Sequence, residues 1–451
     1  MIRRSGSAAI QNARRSGDLA PRRALHTIRK IEACQNRVMN ALLFLLAAST
    51  APALTVTVTA DRLLEVETGK ILQHPVVRIQ DGRIVSIEPR AAGLPVDLDL
   101  GDVTLLPGLI DAHVHLIGSE GRTPYDALRE TTAAAAIAGV LHAAKTLGAG
   151  FTTVRDLGSR DLADVALRDA IANGTVPGPR MFVAVKGVSI TGGHGDRNDL
   201  PPDVTVDRLT AVADGPDEVR KVVRENIKRG ADWIKLLATG GVMSAGTDPR
   251  TADYSEEELR TAIETARERG RDVAVHAHGT EGIKRAVRAG ARSIEHASML
   301  DAEAIELVRK HGTFLVPNPY TNLEMLERGA AGGFQPYQLA KGREMLEFKL
   351  KSLEQAVKAG LLVAYGTDSG VQPHGLNGRQ FKLLVQAGMT PLDAIRSATV
   401  INARLLRLEG QIGTLAPGAF ADLIAVRGDP LTDITVLESP VAVIKGGVRF
   451  K

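Results

Sequence analysis

The sequence predicts an α/β fold: a parallel (β/α)8 barrel of the TIM type, carrying a small β-sandwich built from both termini. Three observations lead there. Eight short β-rich runs alternate with helix-like stretches through the middle of the chain, strands of period two mark both of its ends, and 44% hydrophobic with 24% charged residues over 451 positions is the composition of an ordinary folded enzyme.

The first segment, 1–53, reads as a leader. Its apolar run Ala41 to Ala48 follows Arg29, Lys30 and Arg37 and precedes Ala51-Pro52-Ala53, the arrangement of a secretory signal with cleavage near Ala53. A run of this length is far short of the roughly 20 residues a membrane-spanning helix needs. The expected mature protein is therefore exported, periplasmic or secreted, with no membrane segment; an unused leader would leave it cytoplasmic. Met39, just before the run, is an alternative start. The leader holds nine Lys/Arg against two Asp/Glu, an excess of +7, so the remainder of this +4 chain carries −3. The basic balance belongs to the leader, and nucleic-acid binding loses its main support. The one cysteine, Cys34, also lies there, which leaves no thiolate for a disulfide framework or a zinc site downstream.

From 54 to 104 the chain reads as the N-terminal part of a β unit, with Thr55 to Thr59, Val76 to Ile79, the turn Asp81-Gly82 and Ile84 to Ile87. Residues 406–451 return to the same idiom in Ala421 to Val426 and Val441 to Ile444. Between them, 105–405 carries the eight βα units, whose strands end near His115, Asp156, Ile190, Leu237, His278, His296, Val316 and Thr367. Helices are expected over Thr131 to Ala144, Asp217 to Arg229, Ser255 to Arg269 and Glu303 to Lys310, with a capping box at Ser255 and Glu258.

In such a barrel the active site sits at the C-terminal ends of the strands, and those ends carry candidate metal ligands. The first strand runs into His113-Val114-His115, whose imidazoles share a face because side chains at i and i+2 of a strand do. Alone, an H-x-H pair is weak evidence. Three further ends add to it: His276 and His278 after strand five, His296 after strand six and Asp368 after strand eight. Lys235 stands inside the apolar fourth strand, where an ammonium is costly. Either it pairs with a neighbouring Asp, or carbon dioxide converts it to an anionic carbamate.

The motif PGLIDAHVH (Pro107 to His115), with these later residues in this order, resembles the binuclear branch of the amidohydrolase superfamily over nearly all of Leu54 to Lys451. The resemblance implies two divalent cations, with zinc as the expected metal. His113, His115 and Asp368 would hold one, His276 and His296 the other, and carboxylated Lys235 would bridge them. His278 then has no ligand slot and is expected at the substrate. TGGHGD (Thr191 to Asp196), KLLATGGVMS (Lys235 to Ser244), VHAHG, IEHAS and GTDS resemble the group of Xaa-Pro dipeptidases, Arg/Lys carboxypeptidases and ochratoxin-hydrolysing amidases.

That group implies hydrolysis of an N-acyl-amino acid or dipeptide with release of the C-terminal amino acid. Two such cations lower the pKa of a shared water toward about 7. Asp368 is expected as general base and Tyr254 as oxyanion donor, although Tyr254 reads equally well as a surface residue of a helix-capping loop. His194 and His278 would face the substrate's carboxylate or else orient the ligands. Arg155, Arg197 and Arg250 lie near strand-end loops and nothing local separates them. Phe314, Tyr320 and Phe334, around strand seven, favour an apolar or aromatic leaving group. The partner is a small amide or dipeptide, and a homo-oligomer is expected. The rival readings are a deaminase or cyclic-amide hydrolase on the same scaffold, a metal-free silent scaffold and an exported binding protein without catalysis.

Overall fold

The computed structural model describes residues 55–117, 128–201, 203–204 and 210–451; the leader, with its apolar run and Cys34, lies outside the described residues. Among the described residues no helix is long and apolar enough to cross a membrane.

The middle of the chain is α/β with parallel sheets. Strands Leu109–Val114, Phe151–Asp156 and Arg180–Val183 pair in parallel in that order. A second parallel sheet runs Thr210–Val212, Gly187–Ser189, Trp233–Leu237, Asp272–Ala277, Ser293–His296 and Phe314–Val316. Leu109–Val114, Phe151–Asp156 and Trp233–Leu237 are buried along their whole length, the pattern of parallel strands covered on both faces.

Two of the expected strands differ. The third is broken in two, Arg180–Val183 and Gly187–Ser189, around Val185 at φ 64°. Asp164 holds the break by accepting the Val185 amide at 2.9 Å. No strand ends at Thr367 either. The segment 363–369 makes single parallel bridges, Leu315 to Val363 and Val114 to Ser369, because the chain turns left-handed at Asp368 (φ 59°) instead of continuing a ladder. These bridges join it to the seventh strand on one side and the first on the other.

The helices fall where expected: Thr132–Gly148, Gly215–Lys228, Glu256–Arg267 and Ala302–His311. Ser255 caps the third of these, with both halves of the capping box formed.

The two ends of the described residues meet in one six-stranded sheet, ordered Val448–Arg449, Ala442–Lys445, Leu423–Val426, Thr104–Pro107, Arg62–Glu65 and Lys70–Gln73. A four-stranded sheet of Arg83–Pro89, Pro75–Gln80, Thr55–Thr59 and Leu98–Asp99 accompanies it, and one apolar cluster draws Val58, Val77 and Ile84 from this sheet and Leu63, Leu105 and Ile444 from the other. Thr104–Pro107 crosses the 104/105 boundary expected from sequence and pairs whole with Leu423–Val426. The chain then enters the first parallel strand through Gly108, where a Cβ would lie 2.1 Å from Thr152 Oγ1, so only glycine fits.

Candidate metal centre and cavity

The first parallel strand presents Asp111, His113 and His115 on one side of its pleat. Asp111, fully buried, accepts the His113 amide, the Thr367 amide and hydroxyl, and the Asn377 side chain at 2.6–3.1 Å. It thereby ties this strand to the 363–369 segment, and burial pushes its carboxyl up to about 6 against those bonds.

Ring by ring, the partners settle which nitrogen is left over. His113 Nδ1 lies 2.8 Å from Glu295 Oε2, and an ionised carboxylate only accepts, so Nδ1 carries the proton and Nε2 is left 3.4 Å from Asp368 Oδ1. His115 Nδ1 donates to the Gly158 carbonyl at 3.1 Å and its Nε2 lies 3.3 Å from the same Asp368 oxygen. His276 uses Nε2 on the Gly240 carbonyl at 3.2 Å, which frees Nδ1. His278 Nδ1 meets Ser298 Oγ at 2.7 Å, and His296 Nδ1 meets Asn318 Oδ1 at 2.8 Å. His276, His278 and His296 each offer a ligand atom within 4.8 Å of the others, as do His113, His296 and Asp368. His278, expected to have no ligand slot, is thus as close to the cluster as its neighbours and stacks on His296 at 4.6 Å.

Lys235 faces this cluster from the fourth strand, 3% exposed. The neighbouring-Asp alternative does not hold: Asp232 pairs with Arg168 at 2.9 Å, and among the described residues Lys235 forms no ion pair. Burial pushes its ammonium down to about 8, with Glu295 and Asp368 opposing. Burial pushes Asp368 up, yet His113 and His115 hold it well below the usual carboxylate range. Burial lowers His113 and His194 to about 4 and His276, His278 and His296 well below the ordinary value, so all five rings are neutral at pH 7. Imidazoles, one carboxylate and an unpaired lysine, with no thiolate, are a donor set suited to zinc or a similar borderline cation.

Two expectations need correction, Tyr254 and the aromatic wall, and the three arginine candidates now separate. Tyr254 is 1% exposed, its hydroxyl donates to the Ala213 carbonyl at 3.0 Å, and it stands outside the cavity wall, so it has no free proton for an oxyanion. Arg155 is fully buried behind His113, bonded to Glu295 at 2.8 Å, Ser293 and the Ala112 carbonyl, out of a substrate's reach. Arg250 pairs with Asp248 and Glu344 away from the cavity, while Arg197 does line it, held bidentate by Asp199 at 2.7 and 2.9 Å. The aromatic wall also fails: Phe314, in the seventh strand, is buried with Ile110, Ala112 and Trp233, Tyr320 takes Arg379 on its hydroxyl, and Phe334 packs with Met325 rather than on the surface of the cavity.

The cavity over the cluster measures roughly 450 Å³. His113, His115, Lys235, His276, His278, His296 and Asp368 line it, with His194, which stacks on His276 at 4.5 Å and meets Ser244 Oγ at 2.8 Å. The facing wall is apolar, made of Val242, Met243, Met325 and Val371. Sequence reading missed Glu295, although it sits in the quoted IEHAS, and it missed Asn318 and Lys349. Lys349 is 2% exposed, lines the cavity from the helix Pro336–Lys358, and is pushed down to about 7 by burial. No sequence pattern marks it.

Residues 104–449 match the amidohydrolase family. Ochratoxinase from Aspergillus niger is 35% identical over 368 residues, 77% of this chain and 75% of that protein. A solved Xaa-Pro dipeptidase with methionine bound in its active site superposes with a TM-score of 0.82 at 35% identity, over 88% of this chain and 99% of that one. The A. niger ochratoxinase structure gives 0.77 at 31% identity over 88% and 96%.

Proposed function

Starting from a chain that belongs to the amidohydrolase family and hydrolyses amide bonds, we propose that it is a binuclear metal enzyme that cleaves N-acyl-amino acids or dipeptides and releases the C-terminal amino acid. The observation that carries this reading is Lys235, buried without an ion pair among six imidazoles and Asp368. Burial brings its ammonium down to about 8, so the neutral amine that takes up carbon dioxide as a carbamate forms far more readily than on an exposed lysine. His113, His115 and Asp368 would hold one cation and His276 and His296 the other, with Lys235 between and His278 beside them. Two divalent cations, zinc by this donor set, would supply an activated water and polarise the substrate carbonyl.

The chain's own groups do the rest. Asp368, ionised at neutral pH, accepts the proton of the attacking water and passes it to the leaving amine. His194, neutral and held by Ser244, takes the substrate-facing role alongside His278. The apolar wall of Val242, Met243, Met325 and Val371 favours a hydrophobic leaving amino acid, and its thioethers adapt to shape. This brings phenylalanine release, as from ochratoxin A, within the range of substrates.

The scaffold reading goes with it. The bridges at Val363 and Ser369 support a closed (β/α)8 barrel over about 105–405, and the shared apolar cluster supports a sandwich of 54–104 with 406–451. Residues 1–53 would be an export leader.

The test is amino-acid release from a panel of N-acyl-amino acids and dipeptides, with the protein purified in zinc and bicarbonate. Chelator-sensitive release, strongest for apolar leaving groups, is expected. Two bound metals with no release from any amide would move the activity to cyclic amides.

A further inference from the structure

Lys349 is a buried amine without a carboxylate partner, and when protonated it is a buried charge. Among the described residues its Nζ forms no ion pair, and its three N–H bonds go to neutral oxygens: Asn322 Oδ1 at 2.6 Å, Asn318 Oδ1 at 2.9 Å and the Asn318 carbonyl at 3.3 Å. Burying a charge this way is expensive, so the arrangement asks for a use.

Its consequence runs through Asn318. An amide side chain can present either its oxygen or its nitrogen, and the two ends are distinguished only by their partners. In its protonated form Lys349 has no lone pair, so the atom 2.9 Å from it is then the oxygen, like the Asn322 Oδ1 and Asn318 carbonyl oxygens that its other bonds reach. That same oxygen lies 2.8 Å from His296 Nδ1, which must then carry the ring proton. His296 Nε2 is left as the lone-pair nitrogen. The amide's other end lies 3.4 Å from His113 Nδ1, but that nitrogen already gives its proton to Glu295, so the contact is two donors side by side and fixes nothing. The backbone reinforces the placement: Asn318 sits at φ 38°, a left-handed conformation that Asn tolerates better than most residues.

We propose that Lys349 is a positioning residue: it locks the Asn318 amide and so sets the His296 tautomer whose Nε2 faces the cavity. This rests on the metal-centre reading above. Ligating histidines commonly donate their second nitrogen to an oriented acceptor, and losing that acceptor typically costs about 10- to 100-fold in metal affinity. Here the acceptor is itself oriented by a group one step further from the ion.

The test compares the parent, Lys349→Met and Asn318→Asp by zinc retained per chain during titration with a graded chelator, with circular dichroism as the check on folding. Lys349→Met should release one of the two ions at about 10- to 100-fold lower chelator concentration, and Asn318→Asp, which keeps an acceptor toward both His296 and Lys349, should retain both. A folded Lys349→Met that holds both ions as tightly as the parent would overturn the proposal. Should Lys349→Met not fold, nitrogen-15 NMR of the metal-free parent decides, with His296→Gln as the assignment control: protonation at Nδ1 supports the proposal and protonation at Nε2 overturns it. Because that measurement needs no metal, a protein that binds none would refute the metal-centre reading while leaving the tautomer to be read.

Discussion

Glu295 accepts the Nδ1 proton of His113 at 2.8 Å, with both side chains at most 1% exposed. The carboxylate is held in turn by Arg155 at 2.8 Å and by the Ser293 hydroxyl. Burial alone would push it up, yet Arg155 and His113 bring it down to about 2. The charge behind His113 is therefore permanent at any ordinary pH.

Glu295→Gln should leave the Arg155 guanidinium buried without its counter-charge. Breaking a buried pair in this way costs about 3–5 kcal/mol. Chemical denaturation of the metal-free variant checks this, and an unchanged midpoint would show that the pair does not support the fold.

Lys235→Met replaces a buried, unpaired amine by an apolar side chain of similar length. Stability should hold or rise, because removing such a charge is often neutral or favourable. Turnover should fall by about 1000-fold or more with loss of the carbamate. Equal activity with and without bicarbonate in the parent, and a modest loss in the variant, would remove the carbamate from the mechanism.

Tyr254→Phe should leave kcat within about twofold of the parent. Its hydroxyl holds the Ala213 carbonyl, so the cost appears in stability, about 1–3 kcal/mol for a buried acceptor left alone. A sharp fall in kcat at unchanged stability would restore Tyr254 to the chemistry.

The metal-free chain should lose stability in acid earlier than an ordinary enzyme. His113, His194, His276, His278, His296 and His374 all have folded-state values below the usual 6.5, mainly through burial. Below 6.5 the unfolded chain binds protons at these rings that the folded chain refuses, so their contribution is complete above 6.5 and is lost as pH falls toward about 4. Asp111 and Asp164, raised to about 6, and Asp156, raised to about 7, act with the opposite sign and offset part of the loss. Urea midpoints at pH 7.5, 6.5 and 5.5 should descend; a flat series would mean that the rings are not held neutral.

Met325→Ala should enlarge the apolar wall and shift preference toward bulkier leaving groups. One to three kcal/mol, or about 10- to 200-fold in relative kcat/KM, is the range for such a change in a hydrophobic pocket. Unaltered preference across aliphatic and aromatic substrates would place the side-chain pocket elsewhere.

The convergence of the histidines and Asp368 was legible because strand periodicity and strand-end position are local properties, and a residue at i or i+2 of a strand can be assigned a face without knowing what packs there. The capping box at Ser255 was legible for the same reason. Lys349 and Asn318 were not, because their meaning arises only when the helix Pro336–Lys358 is laid against the end of the seventh strand. Tyr254 and the aromatic residues misled because proximity in sequence to a strand end does not say which way a ring turns. The broken third strand was also hidden, since Val185 is a strong strand former that tertiary contacts force to positive φ.

The segment 363–369 meets its neighbours through single bridges, without a ladder. Individual backbone bonds still sew it to the first strand: Ala112 donates to the Tyr365 carbonyl at 2.9 Å, His115 to the Ser369 carbonyl at 2.7 Å and Asp368 to the His113 carbonyl at 2.6 Å. Asp368 stands on this segment and His113 on the strand across the junction. Any ion gripped by both would act as a clasp across this seam, so loading the site would fasten the segment to the first strand as well as arm the chemistry.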